Sequence, residues 1–324
     1  MRIHRWHVRS ILAAALCVGS DANSADIPRH EPSTRALEVA QTLVVSEMGV
    51  DHLGVLWGFN KHSGKVSFVT PSGDLIVGPV VKNAMTVAAD SAWGLIAVSP
   101  GGTTMRIVGP GGDARAAIQV PDSIGAVAWI DADTFAATPD SSGTLVEIWI
   151  ASTATVARRI GSATPVDKST PGRRRLRRVW VRSDGPTGSL FTMDSYSGAI
   201  VTFDPQGHVQ SAALAHPLVP AFDANAPRLN AEALRKGLID RPITLLWNGF
   251  ELDKSGSVWS VEKASAKQQA IRFRRLRRDG GDDARDLIGL SCATYTFTFW
   301  DEWLITYSDP ADPAGSCIGV RRMP

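Results

Sequence analysis

Three oxygen-bearing side chains, Asn60, Asp194 and Glu262, stand at matching places in a repeating strand pattern. Hard divalent cations are held by carboxylate and amide oxygens, so this set could hold one such cation and activate a bound water as nucleophile. Polar residues also end strands without binding anything. A second constellation is basic. The segment RRLRR occurs at Arg174–Arg178 and again at Arg274–Arg278. The first copy runs into LRRVWVRS, where Leu176, Arg178, Trp180 and Arg182 alternate with Arg177, Val179 and Val181. Alternation by two puts each set on one face of a strand. Arg177, Arg178, Trp180 and Arg182, with His216 from a neighbouring insertion, form a candidate contact for a small anionic ligand or a protein. The second copy runs into DGGDDARD, whose acids offset it, so a two-pronged clamp on a polyanion is not expected. The histidines His30, His52, His62, His208 and His216 are scattered. Gly-x-Ser-x-Gly, His-Glu-x-x-His and Cys-x-x-Cys motifs are absent, and GPGGDA at 109–114 suits a hairpin turn better than a phosphate loop.

The elements that must position these residues form a repeat. VLWGFNKHSGKVSFVTPSGDLIV, from Val55, aligns without gaps on FTMDSYSGAIVTFDPQGHV, from Phe191. Each has a short apolar strand, a polar turn closing on Ser-Gly (Gly64, Gly198), a second strand, then Pro-x-Gly (Pro71 and Gly73; Pro205 and Gly207) and a third strand. Pro and Gly there set turn dihedrals that strands cannot use. Extending the register gives six units, whose second strands are Val55–Asn60, Gly94–Ser99, Thr134–Pro139, Leu190–Ser195, Ser257–Glu262 and Trp303–Ser308. A first strand precedes each: Thr42–Glu47, Ala84–Ala89, Ile124–Ile130, Leu176–Arg182, Ile243–Phe250 and Ala293–Trp300. Units of about 40 or more residues with four short strands predict an all-β, six-bladed β-propeller with four-stranded antiparallel blades. Two β-sandwich domains are the competing architecture. The last unit has only three strands, and a strand around Ser33–Val39 is expected to complete it and close the ring. Two insertions interrupt the rhythm, 161–173 and 216–242. In the second, Leu229, Ala233, Leu234 and Leu238 have helical spacing with Asn230 as N-cap, predicting one short helical insertion. Of ten tryptophans, Trp57, Trp149, Trp180, Trp247, Trp259 and Trp300 fall in strands, where packing between blades is the expected use.

GFELDKSGSVWSVEK (249–263) and SGAIVTFDPQGHV (197–209) resemble blades of NHL-repeat and TolB-like six-bladed propellers. The resemblance lies in Asp253, Gly256, Val258 and Trp259 of one turn and Phe203, Asp204 and Gly207 of the other. It implies a fold and leaves function open. It also implies that ligands meet the face carrying the blade-to-blade loops and the turns between strands two and three, where Asn60, His62, Asp194, Tyr196, Glu262, Lys263 and Asp309 are expected. Six-bladed lactonases of the regucalcin type hold a divalent metal with a Glu near the start of the first blade. Asn248-Gly249 is similar to an Asn-Gly element of that family, but Glu47, placed at the end of a first strand, falls on the wrong face. A streptogramin-lyase-like reading requires a convergent His/Glu cluster, and the register places none.

Composition bounds the rest. Residues 1–25 have a basic start (Arg2, Arg5, Arg9), an apolar run from Ile11 to Val18 and small residues after it, the layout of a secretory signal peptide. The expected mature chain is one propeller domain, 26–324, in the periplasm or secreted. Removing residues 1–25 takes three Arg and one Asp from 34 basic and 32 acidic residues, leaving 31 of each. A formally neutral chain has no global signature for nucleic acid, and no later apolar run is long enough to span a bilayer. Cys292 and Cys317 then remain as a pair, which in an oxidising compartment reads as a disulfide. The functional expectation is an exported, non-catalytic binding or interaction propeller without a cofactor. The alternative is a metal-assisted hydrolase or lyase with one divalent cation at Asn60, Asp194 and Glu262.

Overall fold

The computed structural model describes residues 31–139, 143–162, 179–184, 187–194, 199–214, 235, 248–265, 270–277, 281–290, 296–308 and 317–323. Its strands form six antiparallel sheets, each a simple up-and-down run along the chain. The first sheet is β1 (Glu47–Val50), β2 (Leu56–Asn60), β3 (Lys65–Val69) and β4 (Leu75–Val80); the second is β5 (Thr86–Asp90), β6 (Gly94–Val98), β7 (Thr104–Val108) and β8 (Ala114–Gln119). The third comprises β9 (Ile124–Trp129), β10 (Thr134–Pro139), β11 (Thr144–Ile150) and β12 (Thr155–Ser162). The fourth is β13 (Val179–Asp184), β14 (Ser189–Asp194), β15 (Ala199–Phe203) and β16 (Val209–Leu214), and the fifth β17 (Asn248–Leu252), β18 (Val258–Ser265), β19 (Ala270–Leu276) and β20 (Asp282–Ile288). The sixth has three strands among the described residues, β21 (Thr296–Trp300), β22 (Trp303–Tyr307) and β23 (Ile318–Arg322). The first strands touch in cyclic order, β1 to β5, β9, β13, β17, β21 and back to β1, so they ring a central channel. The protein is a six-bladed β-propeller.

Alternation along each strand builds the core. In β9, Val127 and Trp129 pack toward the second blade while Ala126 and Ala128 pack toward the fourth. In β10, Phe135 and Ala137 take the first side and Ala136 the second. In β13, Val179 and Val181 face the third blade and Trp180 the fifth. A period of two thus sends alternate side chains into two different seams. The result is six buried clusters, one per pair of neighbouring blades. Trp57, Trp149, Trp180, Trp259 and Trp300 lie in these seams, as expected from their strand positions, and Trp247 lies outside the described residues. The second strands predicted from the repeat coincide with β2, β6, β10, β14, β18 and β22 to within a few residues. The Pro-x-Gly turns have their glycines at positive φ, 94° at Gly73 and 86° at Gly207, where a side chain would be strained.

Two expectations are corrected. Ser33–Val39 does not supply a closing strand. Thr34–Gln41 is an α-helix, α1, and Ser33 is its N-cap, its hydroxyl accepting from the Ala36 amide at 3.1 Å. Ala36, Leu37 and Ala40 form its buried stripe, packed where the first and sixth blades meet. The ring closes through β1 against β21, with the Met48 amide donating to the Tyr307 hydroxyl at 3.1 Å and Trp300 Nε1 to the Gly54 carbonyl at 2.8 Å. The second correction is β1 itself. The chain leaves α1 through Thr42 and Leu43, so the first strand starts late, and Glu47 opens it instead of ending it. The helical insertion predicted within 216–242 lies outside the described residues except for Arg235, which is helical. No helix among the described residues is long and apolar enough to cross a membrane.

Candidate functional site

Every first strand ends on or just before an aspartate: Asp51, Asp90, Asp131, Asp184, Asp253 and Asp301. The turn into the second strand needs an acceptor for its free amides, and a short carboxylate supplies it. Asp253 accepts from the Ser255 and Ser257 amides, and Asp90 from those of Ala92 and Trp93. Asp131 serves the same role for Asp133. This device brings five carboxylates to one end of the channel, since Trp129 takes the wall position in the third blade.

Within that ring lies a cavity of about 170 Å³, reaching from mid-channel to the turns between first and second strands. Asp51, Asp90, Asp184, Asp253 and Asp301 line its outer part, and Glu47, Arg182 and Glu251 its inner part. Trp57, Trp93, Trp129 and Trp300 supply the aromatic wall. Two indoles are pinned by backbone carbonyls of the adjacent blade, Trp300 by Gly54 and Trp129 by Gly94. Gly49 makes room for a third: a Cβ there would meet the Trp57 ring at 2.6 Å.

The outer wall carries a histidine–aspartate pair. His52 Nδ1 lies 2.5 Å from Asp90 Oδ2, and the His52 amide also faces that oxygen at 3.4 Å. The imidazole stacks on Trp93 at 3.9 Å between centroids and 9° between planes. With Asp90 ionised and His52 neutral, Nδ1 donates and the lone pair falls on Nε2. Nε2 has no partner among the described residues, and His52 lines the cavity. Asp51, beside this pair, accepts from the Leu53 and Val55 amides and from the Ser91 amide and hydroxyl. Burial, and next the charge of Asp90, hold the Asp51 carboxyl above its ordinary range despite those donors.

The inner wall carries an ion pair between blades four and five. Arg182 Nε and Nη2 both donate to Glu251 Oε1, at 2.9 and 2.5 Å. Glu47 faces the same channel segment and accepts from the Thr86 hydroxyl at 2.7 Å and the Val87 amide at 3.0 Å. Burial pushes Glu251 up, Arg182 pulls it part of the way back, and Glu47 adds to the rise. Burial also drives the Tyr307 phenol far above its ordinary value.

The residues singled out from sequence fare unequally. Asn60 caps its own turn, its Oδ1 accepting from the His62 and Ser63 amides and its Nδ2 donating to the Val44 carbonyl. Asn60 ends β2 in the first blade, Asp194 ends β14 in the fourth, and Glu262 sits in β18 of the fifth at a register shift between Val261 and Lys263. All three stand on second strands, one strand spacing back from the channel, and blades one and four face each other across the ring. Metal–oxygen bonds of about 2.0–2.6 Å cannot bridge Asn60 and Asp194 across the ring. Among the described residues no three His, Cys, Asp or Glu side chains are placed to hold a metal ion. Trp180 is buried against Phe191 and Phe250. Arg182 does reach the channel, but Glu251 takes its charge, and the cavity around it is acidic. Arg177, Arg178, His216 and Cys292 lie outside the described residues. In the second RRLRR copy, Arg275 packs over the Trp259 ring at 5.3 Å and bonds Asp253 at 3.1 Å, while in the same strand Arg272 pairs with Asp286.

Sequence reasoning missed His52, Asp90, Glu47 and Glu251. The repeated aspartate was the available signal: it marks the strand ends that ring the channel, and His52 follows the first of them. Glu47 was assigned to the wrong end of its strand because that strand was placed too early.

No family model matches the chain, and no curated protein matches it. Solved structures do. A streptogramin B lyase is 11% identical over 82% of this chain and 77% of its own, with a TM-score of 0.50. A catalytically inactive histidine-to-alanine variant of virginiamycin B lyase from Staphylococcus aureus, with quinupristin, is 10% identical over 80% of this chain and 75% of its own, at 0.50. A structural-genomics protein from Bacteroides thetaiotaomicron VPI-5482 is 13% identical over 87% of this chain and 70% of its own, also at 0.50. At these identities the likeness establishes the six-bladed propeller fold and nothing finer.

Proposed function

We propose that the channel cavity is an active site of the hydrolase or lyase class, in which His52 is the general base. One observation carries the reading: His52, which lines the cavity, is held through Nδ1 by Asp90 and stacked on Trp93, and its Nε2 has no partner among the described residues. Nε2 takes a proton from a substrate carbon or from a water, and Asp90 stabilises the imidazolium that forms. The fold likeness to two lyases carries no substrate over; it makes this a scaffold on which such chemistry occurs. The test is a panel of chromogenic esters, lactones and a streptogramin B, assayed with wild type, His52→Gln and Asp90→Asn. Positioned general bases contribute about 10²–10⁴-fold, so His52→Gln lowers kcat by at least about 100-fold with KM little changed. Turnover that survives His52→Gln unaltered refutes the assignment.

A second reading is the non-catalytic binding propeller. It is favoured by the four donors on Asp51 and the turn amides on Asp90, which give both residues a purely architectural use. In that case ligands bind the cavity and none is converted. Under either reading we place the protein outside the cytoplasm, on the strength of residues 1–25, with Cys292 and Cys317 joined. The bonded state of Cys317 supports that pairing.

A further inference from the structure

We infer that the ligand of this cavity presents an organic ammonium group; the inference deepens the proposed active site and rests on it. Seven carboxylates line the cavity against two fixed cations, a formal charge of −5 with His52 neutral. Both cations are already engaged, Arg182 by Glu251 and Lys254 by Asp301 at 3.4 Å and Glu302 at 2.5 Å. A phosphate or carboxylate ligand would meet a wall of net negative charge. A bare metal ion is also a poor match, because the carboxylates are distributed around the ring and no three of the described ligating side chains converge. Dispersed negative charge beside Trp57, Trp93, Trp129 and Trp300 suits a large, weakly hydrated cation, which aromatic faces attract through their quadrupoles. The size agrees: an apolar cavity of about 150 Å³ accepts benzene, close to the bulk of a trimethylammonium head, and this one is about 170 Å³.

Free ammonium compounds and lysine side chains share this chemistry. The test therefore titrates the full-length protein by calorimetry and tryptophan fluorescence with choline, Nα-acetyl-lysine methylamide, 3,3-dimethylbutanol (the uncharged isostere of choline) and acetate. Choline or the lysine amide binds at least about tenfold tighter than the isostere, weakens as salt is added, and shifts the fluorescence. The tighter of the two identifies the source of the ammonium. Acetate does not bind. Trp93→Leu weakens the cation at least about fivefold and leaves the isostere unchanged; should that variant not fold, Asp184→Asn is read the same way. Equal affinity for cation and isostere, preference for acetate, or no binding by either cation overturns the inference. These readouts need no turnover, so they fail separately from the assignment of His52 as base.

Discussion

Replacing Arg182 with Met leaves Glu251 buried and uncompensated, with Glu47 as its nearest charged neighbour. Breaking one side of a buried pair costs about 3–5 kcal/mol. The Arg182 side chain is 29% exposed and that of Glu251 11%, so the lower end applies, about 3 kcal/mol near neutral pH. The loss depends on pH, and its sign follows from the direction of the shift. Glu251 is raised above its ordinary 4.5 even with Arg182 present, and more so without it. A carboxyl raised in the folded state binds more protons there than in the unfolded chain. Its contribution is therefore fully present below pH 4.5 and is lost as pH rises through the folded value. Arg182→Met is closest to wild type in mild acid and falls behind as the solution is made neutral. Urea unfolding followed by tryptophan fluorescence, repeated across that range, measures it. Removing both charges, as Arg182→Met with Glu251→Leu, restores stability to within about 1 kcal/mol of wild type and flattens the pH dependence. A single-variant loss below about 0.5 kcal/mol, or a double variant no better than the single, refutes the buried pair as described.

Two further outcomes follow from the channel wall. Gly49→Ala puts a Cβ within 2.6 Å of the Trp57 ring, so the indole must move; the expected loss is about 1–3 kcal/mol in chemical unfolding, with a changed emission maximum. Trp300→Phe keeps most of the packing between blades six and one but strands the Gly54 carbonyl, at a cost of about 1–3 kcal/mol, read as a lower melting temperature.

The ring was legible because it rests on local rules. Ser-Gly and Pro-x-Gly turns at fixed offsets fixed the hairpins, and strand alternation fixed which residues enter the seams. What was not legible depends on contacts between units. Whether Ser33–Val39 pairs as a strand or coils as a helix is decided by the Ser33 cap and the Ala36, Leu37 and Ala40 stripe, a spacing that a search for a fourth strand overlooks. His52 and Asp90 are 38 positions apart and meet only because adjacent blades align their first turns. Arg182 and Glu251 are 69 apart for the same reason. Asn60 and Asp194 stand in opposite blades because equivalent places in a rotational repeat are kept apart by the rotation, and residues converge where the first strands approach the axis.

Whether His52 can act as a base depends on its neutral tautomer. Long-range proton–nitrogen correlation on protein labelled with ¹⁵N-histidine, recorded about 1.5 pH units above the ordinary imidazole range, distinguishes the two neutral forms. The expected spectrum shows a proton on Nδ1, held by Asp90, and a bare Nε2 able to accept from a substrate. A proton on Nε2 would contradict it, because the ring would then offer the cavity a donor and no base.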